Sequence, residues 1–375
     1  MIFVCVFLGF LLLRIGVSFW NIWADTRISG ELETNEEELI SILIPAKNEE
    51  KNILHLLQSI LDQDYKNIEV LILDDSSNDG TYALVAQFIE KDPRFHIHRG
   101  LDLPKNWMGK NFACHQLASF AKGDFFLFLD ADVSVKSGLL KKSLSRMKRN
   151  KLSLLSLFAD QRMESLGEWL TVPLMNYFLL SFLPLPLIQK SKHPSLAAAN
   201  GQFMLFPGKS YKQFQWHSQV KNKVAEDYEI CKKVKEHQLL AETLLSDGYL
   251  NCRMYTGFGQ GIDGFTKNTY ALFNYNLTGI FLFILMIFGM DIAIFILGNG
   301  YLLFLILFLI LILKSSTTLL SRQNLLLNLI LHPFQIGVMV YISLLSAYKN
   351  IKGTLVWKGR IIPPFSTTKL STLSE

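Results

Sequence analysis

The chain has no Cys-x-x-Cys pair; its four cysteines, Cys5, Cys114, Cys231 and Cys252, are scattered. That spacing argues against a zinc site and a disulfide framework, and fits a reducing cytoplasm. No Gly-x-Gly-x-x-Gly follows the first strand-like run, which excludes the usual dinucleotide fold, and no Walker lysine motif is present, which excludes a P-loop NTPase. The basic stretches lack the interleaved aromatics of a nucleic-acid stacking platform, so nucleic acid is not an expected partner. No basic region precedes the N-terminal apolar run and no small-x-small cleavage site follows it. The run therefore reads as an uncleaved anchor and not as a signal peptide. Internal repeats and low-complexity segments are also missing.

What the chain has in excess is apolar surface. Half of its 375 residues are hydrophobic, the mean hydropathy is +0.26, and the excess sits at the two ends. Residues 2–13 are apolar throughout, and Arg14 is the one charged interruption before Trp20 and Trp23, which resemble an aromatic belt at a headgroup boundary. Apolar character returns from about 271 to 347. Residues 277–297 can span a bilayer, 298–314 can do so tightly, and Gly298-Asn299-Gly300 is a turn signal between them. A third segment, 325–347, is expected to break at His332-Pro333, and Asp291, inside the first segment, should face other helices. Three spans after a cytoplasmic domain would place Lys349, Lys352, Lys358 and Arg360 outside, against the positive-inside tendency. Either the His-Pro segment is re-entrant or interfacial, or two of the spans are one.

The formal net charge of +5 is clustered, with Lys141, Lys142, Arg146, Lys148, Arg149 and Lys151 in one stretch and Lys232, Lys233 and Lys235 in another. These fit solvated helix faces or contact with an anionic leaflet. Residues 169–188, broken by Pro173, Pro184 and Pro186, are too interrupted for a span. They read as an interfacial helix and loop able to admit an apolar molecule, or as a plain core segment.

Between the ends, an acidic linker from Gly30 to Glu38 precedes the strand-like run Leu39–Ile44, which stops at Pro45-Ala46-Lys47-Asn48-Glu49-Glu50. A helical pattern with Ile53, Leu54, Leu57, Ile60 and Leu61 follows. A second strand, Ile68–Leu73, ends in Asp74-Asp75-Ser76-Ser77-Asn78-Asp79-Gly80-Thr81, and a second helix carries Leu84, Val85, Phe88 and Ile89. The alternation is that of an α/β domain with a parallel, doubly wound sheet. Phe125–Leu129, five apolar residues suited to a strand covered on both faces, runs into Asp130-Ala131-Asp132. Ligands of such sheets collect beyond the carboxyl ends of the strands, and two carboxylates one residue apart can share a hard cation whose shell phosphate oxygens complete. Three strands thus end in carboxylate-bearing loops, a pattern suited to a nucleotide's hydroxyls and to a divalent ion on a diphosphate.

Pro45-Ala46-Lys47-Asn48-Glu49, the Asp74–Thr81 loop, Asp130-Ala131-Asp132 and Glu226-Asp227, in this order over residues 39–270, resemble the motif series of family 2 glycosyltransferases. Trp107-Met108-Gly109-Lys110-Asn111-Phe112-Ala113 and Val356-Trp357-Lys358-Gly359-Arg360 are similar to stretches of the membrane members that glycosylate carotenoids, and hopanoid-associated members are similar too. The resemblance implies a GT-A fold, a nucleotide-sugar donor (UDP-glucose), a polyisoprenoid lipid acceptor and Mg²⁺ or Mn²⁺. It implies that Glu49 and Asp75 bind the uridine beside Pro45 and Asn48, with Asp74 shaping the loop. Asp130 meets the ribose or diphosphate and shares with Asp132 the task of holding the ion. Lys110 is a second cation for the diphosphate or else a surface lysine, and Asp227, beside Glu226, is the general base of an inverting displacement. The processive members' Gln-x-x-Arg-Trp is replaced by Gln260-Gly261-Ile262-Asp263-Gly264-Phe265, so one transfer is expected, not polymerisation.

The expected organisation is an anchor at 1–24, a linker at 25–38, a catalytic domain at 39–270 facing the cytoplasm, membrane or re-entrant helices at 271–348 and a basic tail at 349–375, in a multi-pass protein of the cell membrane. A polyprenyl-phosphate glycosyl synthase and a catalytically silent scaffold are the competing readings. His96 and His98 share one strand face, and His193 and His217 lie on the expected acceptor side, as acceptor contacts or as packing.

Overall fold

The chain is described by a computed structural model over residues 2–28, 37–273, 275–289, 300–357 and 359–361. It divides into two compact units, one of residues 25–162 and 185–253, the other of 1–24, 163–184 and 254–375. Residues 163–184 and 254–270, expected inside a catalytic domain at 39–270, thus group with the terminal helices. Asp291, Lys358 and most of the linker lie outside the described residues.

The first unit is built on a seven-stranded sheet. Its early elements are β1 (Ile40–Ala46), α2 (Ile53–Leu61), β2 (Ile68–Asp74), α3 (Thr81–Ile89), β3 (Phe95–Arg99), α4 (Gly109–Phe120) and β4 (Phe125–Leu129), where α1 denotes the N-terminal helix Ile2–Trp23 of the other unit. There follow β5 (Val133–Val135), α5 (Leu139–Arg149), β6 (Leu154–Phe158) and β7 (Asp160–Gln161). The other unit's α6 (Leu166–Thr171) and α7 (Pro173–Phe182) intervene before α8 (Leu185–Lys190), β8 (Phe203–Pro207), α9 (Gly208–Phe214), α10 (Trp216–Gln219), α11 (Glu226–Glu236), β9 (Ala241–Leu245) and β10 (Leu250–Cys252). The strand order is β3-β2-β1-β4-β8-β6-β9. Pairing is parallel except at β8, which runs antiparallel to both its neighbours. The sheet is therefore mostly parallel, as the β-α alternation requires.

Period-two alternation within β4 sends Phe126 and Phe128 to one face, where they pack with Phe206, Tyr211 and Trp216. Burying each ring is worth roughly 1.5–3 kcal/mol. On α2 the buried positions are Ile53, Leu56, Leu57 and Ile60, so the helix is turned slightly from the expected face and Leu54 is exposed. Several basic residues expected at the surface have internal partners. Arg146 on α5 is buried, donating to Glu242 at 2.7 Å and to Asp25 at 2.6 Å. Lys148 pairs with Glu38, and the buried Lys235 donates to the carbonyls of Ile188 and Ser191. Neither cluster is a continuous solvated face. Arg146→Met would strand the buried Glu242 carboxylate with only Asn150 as donor. Removing one partner of a buried pair costs about 3–5 kcal/mol, so the thermal midpoint of the full chain should fall clearly; an unchanged midpoint would mean the pair contributes nothing net.

The second unit is helical. α1, the helix Gly300–Leu320 and the helix Leu325–Ile351 are each long and apolar enough to cross a membrane, and a fourth span results if the bent pair α12 (Phe258–Leu272) and α13 (Leu277–Ile284), which continues to Gly289 as a π-turn, counts as one. Two expectations are corrected. The segment around His332-Pro333 is not broken: the helix runs through Pro333, since neighbouring helices can satisfy a freed carbonyl in such bundles. The span expected to stop at 314 continues to Leu320 because Lys314 lies inside the bundle, donating to Gln335 at 2.8 Å. Phe7, Leu11, Tyr177, Ile306, Leu313 and Ile336 form the unit's core. Trp20 and Trp23 are exposed at the end of α1, as an interfacial belt requires.

Candidate active site

Because β1, β2 and β4 run parallel, with Ala46 opposite Asp74 and Leu43 opposite Phe128, their carboxyl ends share one edge. The loops after β1 and β2 are bound to each other. Asn48 N donates to Ser77 Oγ at 2.9 Å and Asn78 N to Asn48 Oδ1 at 2.8 Å. Glu49 N donates to Thr81 Oγ1 at 2.8 Å, and Lys47 Nζ to the Asp75 carbonyl at 2.8 Å. Asn48 and Ser76 both take the left-handed conformation, φ 54° and 56°, which Asn tolerates through its short polar side chain. Pro45 sits in β1 opposite Leu73, where no sheet N–H is available from it. Asp74 is buried; its Oδ2 accepts from Ser77 N at 3.3 Å and its carbonyl from Gly100 N at 2.9 Å.

Lys110 is not a lone surface lysine. Its ammonium, in the first turn of α4, lies 2.6 Å from Asp130 Oδ1 and 2.9 Å from Glu226 Oε1. Burial alone would lower its pKa, but Asp130 and Glu226 carry it well above the ordinary lysine value. The pairing is prepared by Asn111, whose amide donates to the carbonyls of Val220 and Lys223 and so ties α4 to the segment leading into α11. Glu226 and Asp227 open α11, where the helix dipole favours carboxylates. Asp227 Oδ2 accepts from Gly201 N at 2.9 Å and Oδ1 from Tyr228 N at 2.8 Å. Burial, then the neighbouring Glu226, pushes its pKa up to about 6 against the opposing pull of Lys110 and the two N–H groups.

Asp132 stands at the turn from β4 into β5, and Cys252 is its neighbour because Cys252 pairs with Val133 across β5 and β10. Gln202 Nε2 donates to Cys252 Sγ at 2.9 Å. Burial, followed by the fields of Asp132, Asp130 and Glu49, raises the Cys252 thiol well above its usual pKa.

Sequence reasoning missed Gly201 and Cys252. Gly201 precedes the antiparallel β8, whose Phe203 lies opposite Leu129, and this puts its backbone against the site. A Cβ there would stand 2.8 Å from Lys110 Nζ and 3.2 Å from Glu226 Oε1. The signal in hindsight is Ala197-Ala198-Ala199-Asn200-Gly201, a run of small residues where the chain must approach closely. Gly201→Ala should keep the fold, since the atoms it meets are side-chain ends, but displace the Lys110 ammonium. Misplacement on the order of 1 Å can cost about 10²-fold. Rates of a variant whose melting temperature matches the wild type check this; an undiminished rate would show that the position of Lys110 is immaterial.

His217, His98 and His193 make packing and capping contacts within the fold. His217 is buried against Phe128 and Tyr211, and burial depresses its pKa to about 3. His98 stacks on Phe120, and His193 caps a short 3₁₀ turn. Among the described residues, no three His, Cys, Asp or Glu side chains are placed to hold a metal by themselves. Asp130 and Asp132 follow the end of β4 one residue apart, and carboxylate oxygens are the ligand type a hard divalent ion takes when diphosphate oxygens complete its shell.

The seven-stranded mostly parallel sheet with its acidic carboxyl edge is the GT-A arrangement. One solved structure of this fold is the mannosyltransferase PcManGT of Pyrobaculum calidifontis in complex with GDP-Man and Mn²⁺, with a TM-score of 0.56 at 14% identity, over 92% of this chain and 96% of that one. Residues 41–214 match the model of glycosyl transferase family 2, and over that stretch this chain is similar to that family. It resembles the carotenoid-type members in particular. It is 27% identical to the 4,4'-diaponeurosporenoate glycosyltransferase of Staphylococcus haemolyticus over 239 residues, 63% of this chain and 62% of the relative's length. It is 38% identical to the Staphylococcus aureus protein of the same name over 95 residues, 25% of this chain and 24% of that one. The matched stretches thus span less than two thirds of either relative.

Proposed function

We infer that the protein is an inverting, non-processive glycosyltransferase that moves one hexose from a nucleotide sugar, UDP-glucose in the first instance, to a membrane lipid of the polyisoprenoid class. The observation that carries this reading is Asp227: a carboxylate with a pKa near 6, oriented by the Gly201 N–H next to the Lys110–Asp130–Glu226 group. A base so tuned is half ionised at mildly acidic pH and able to accept a proton at neutrality.

In the displacement, the acceptor oxygen bonds to the anomeric carbon as the bond from that carbon to the diphosphate oxygen breaks. Asp227 takes the acceptor hydroxyl's proton, and the electron pair leaves with the nucleoside diphosphate. Glu49, Asp75, Asn48 and Pro45 belong to the braced loops that would hold the nucleoside. Asp132 and Asp130 would hold Mg²⁺ or Mn²⁺, which supplies neutralisation of the charge growing on the departing oxygens. Lys110, already charged among carboxylates, adds a fixed cation for that group. The name of the staphylococcal relative supports an apolar acceptor, and the three membrane-length helices among the described residues support a multi-pass protein of the cell membrane, with the sugar-nucleotide site on the cytoplasmic side where such donors are made.

The test uses full-length protein in lipid nanodiscs with labelled UDP-glucose and lipid extract from the source cells, followed by mass spectrometry. Hexose added once to an isoprenoid lipid is the expected product. Addition to a polyprenyl phosphate would instead identify a polyprenyl-phosphate glycosyl synthase. No turnover of any nucleotide sugar under these conditions would leave a scaffold.

A further inference from the structure

The helical unit holds three basic side chains around one ring. Arg14 on α1 is 4% exposed and Lys314 on Gly300–Leu320 is 1% exposed. The Arg14 guanidinium lies 4.8 Å and the Lys314 ammonium 5.0 Å from the centre of the Tyr177 ring, and the His332 ring is 5.1 Å from it. The hydrogen-bond partners of the two cations are hydroxyl and amide groups: Ser181 Oγ, 2.9 Å from Arg14 Nη2, together with the Tyr177 side chain, and Gln335 Oε1, 2.8 Å from Lys314. Among the described residues neither forms an ion pair, and the buried Nδ1 of His332 has no hydrogen-bond partner. Arg14, Tyr177 and His332 line a small cavity of about 20 Å³, room for a water-sized group, whose remaining walls are apolar, among them Phe7, Leu11 and Ile336.

Two desolvated cations with no carboxylate partner among the described residues are costly within an apolar bundle, and ionisable residues at such depth mark ligand paths. Neutral partners and aromatic faces reduce the cost but leave the charge uncompensated. What completes the arrangement chemically is an anion. A freely soluble anion would have to leave water for apolar walls, whereas the headgroup of an amphiphile arrives with a chain that those walls suit. We propose that Arg14, Lys314 and His332 form a binding site for the anionic oxygen head, carboxylate or phosphate, of a membrane amphiphile. The site is independent of the transfer chemistry, and its test contains no sugar donor, so its failure leaves the transferase reading standing.

The full chain in phosphatidylcholine nanodiscs is titrated with dodecanoate, dodecyl phosphate, dodecanol and inorganic phosphate, with binding read by calorimetry and by thermal shift. Dodecanoate and dodecyl phosphate should bind at least tenfold more tightly than dodecanol, and inorganic phosphate should bind weakly. Lys314→Met and Arg14→Gln should each lose tenfold or more for the anionic probes, while Arg14→Lys keeps most of the affinity. Without probe, Lys314→Met should melt at or above the wild-type temperature, because an uncompensated charge has gone. Should Arg14→Gln not fold, Lys314→Met and Arg14→Lys decide the matter. Equal affinity for dodecanol and dodecanoate, or full affinity in Lys314→Met, would overturn the site. Inorganic phosphate matching dodecyl phosphate would overturn the amphiphile. Probe binding by Asp291→Asn but not by the wild type would show that the protein supplies its own counter-charge, and the proposal would fail.

Discussion

The Asp227→Asn protein should bind nucleotide sugar as the wild type does and transfer it about 10²–10⁴-fold more slowly, the usual cost of losing a general base. Asn preserves the shape and can still accept the Gly201 N–H through its amide oxygen, so the neighbouring Lys110–Glu226 pair is left in place. The pH profile separates this role from a structural one. The carboxylate works when ionised, and its pKa is raised to about 6. Wild-type kcat should therefore be full above pH 7 and fall as pH drops through about 6, and the residual activity of the variant should lose that limb. Donor affinity collapsing together with turnover would make Asp227 a donor ligand instead.

Asp132→Ala is the second large effect. Its carboxylate stands at the end of β4, outside the aromatic packing of Phe126 and Phe128, so the variant should melt close to wild type. Transfer should fall by more than the 10–100-fold that loss of an outer-shell partner costs, and titrating Mn²⁺ or Mg²⁺ should not restore it. Turnover near the wild-type rate without added divalent ion would remove Asp132, and Asp130 with it, from the metal role.

The strand ends were legible because, in a β-α alternation, an uninterrupted apolar run that stops at carboxylates marks where a buried strand leaves the core; β4 spans the expected Phe125–Leu129. The Lys110–Glu226 pair was not, since it joins distant stretches through β8, whose antiparallel course leaves no periodic trace. Gly201 was hidden for a related reason: its importance lies in what the missing Cβ would touch. In the helical unit, hydropathy located the apolar stretches but misjudged where they end. Lys314 and Pro333 are stop signals for a helix in water, yet the bundle satisfies the first with Gln335 and carries the helix through the second.

The bracing between the loops after β1 and β2 has an implication for how such proteins diversify. The loops proposed to hold the nucleoside are contained in one unbroken stretch, Pro45 to Thr81, whose cross-links are nearly all internal to it. The groups proposed for the ion and the base lie elsewhere, at Asp130–Asp132 and Glu226–Asp227. A stretch with that property is a cassette: recombination or a grafted segment could change which nucleotide is read without disturbing the groups that move the sugar. Donor preference and transfer chemistry can then drift separately, one within a single contiguous block and the other across the rest of the chain.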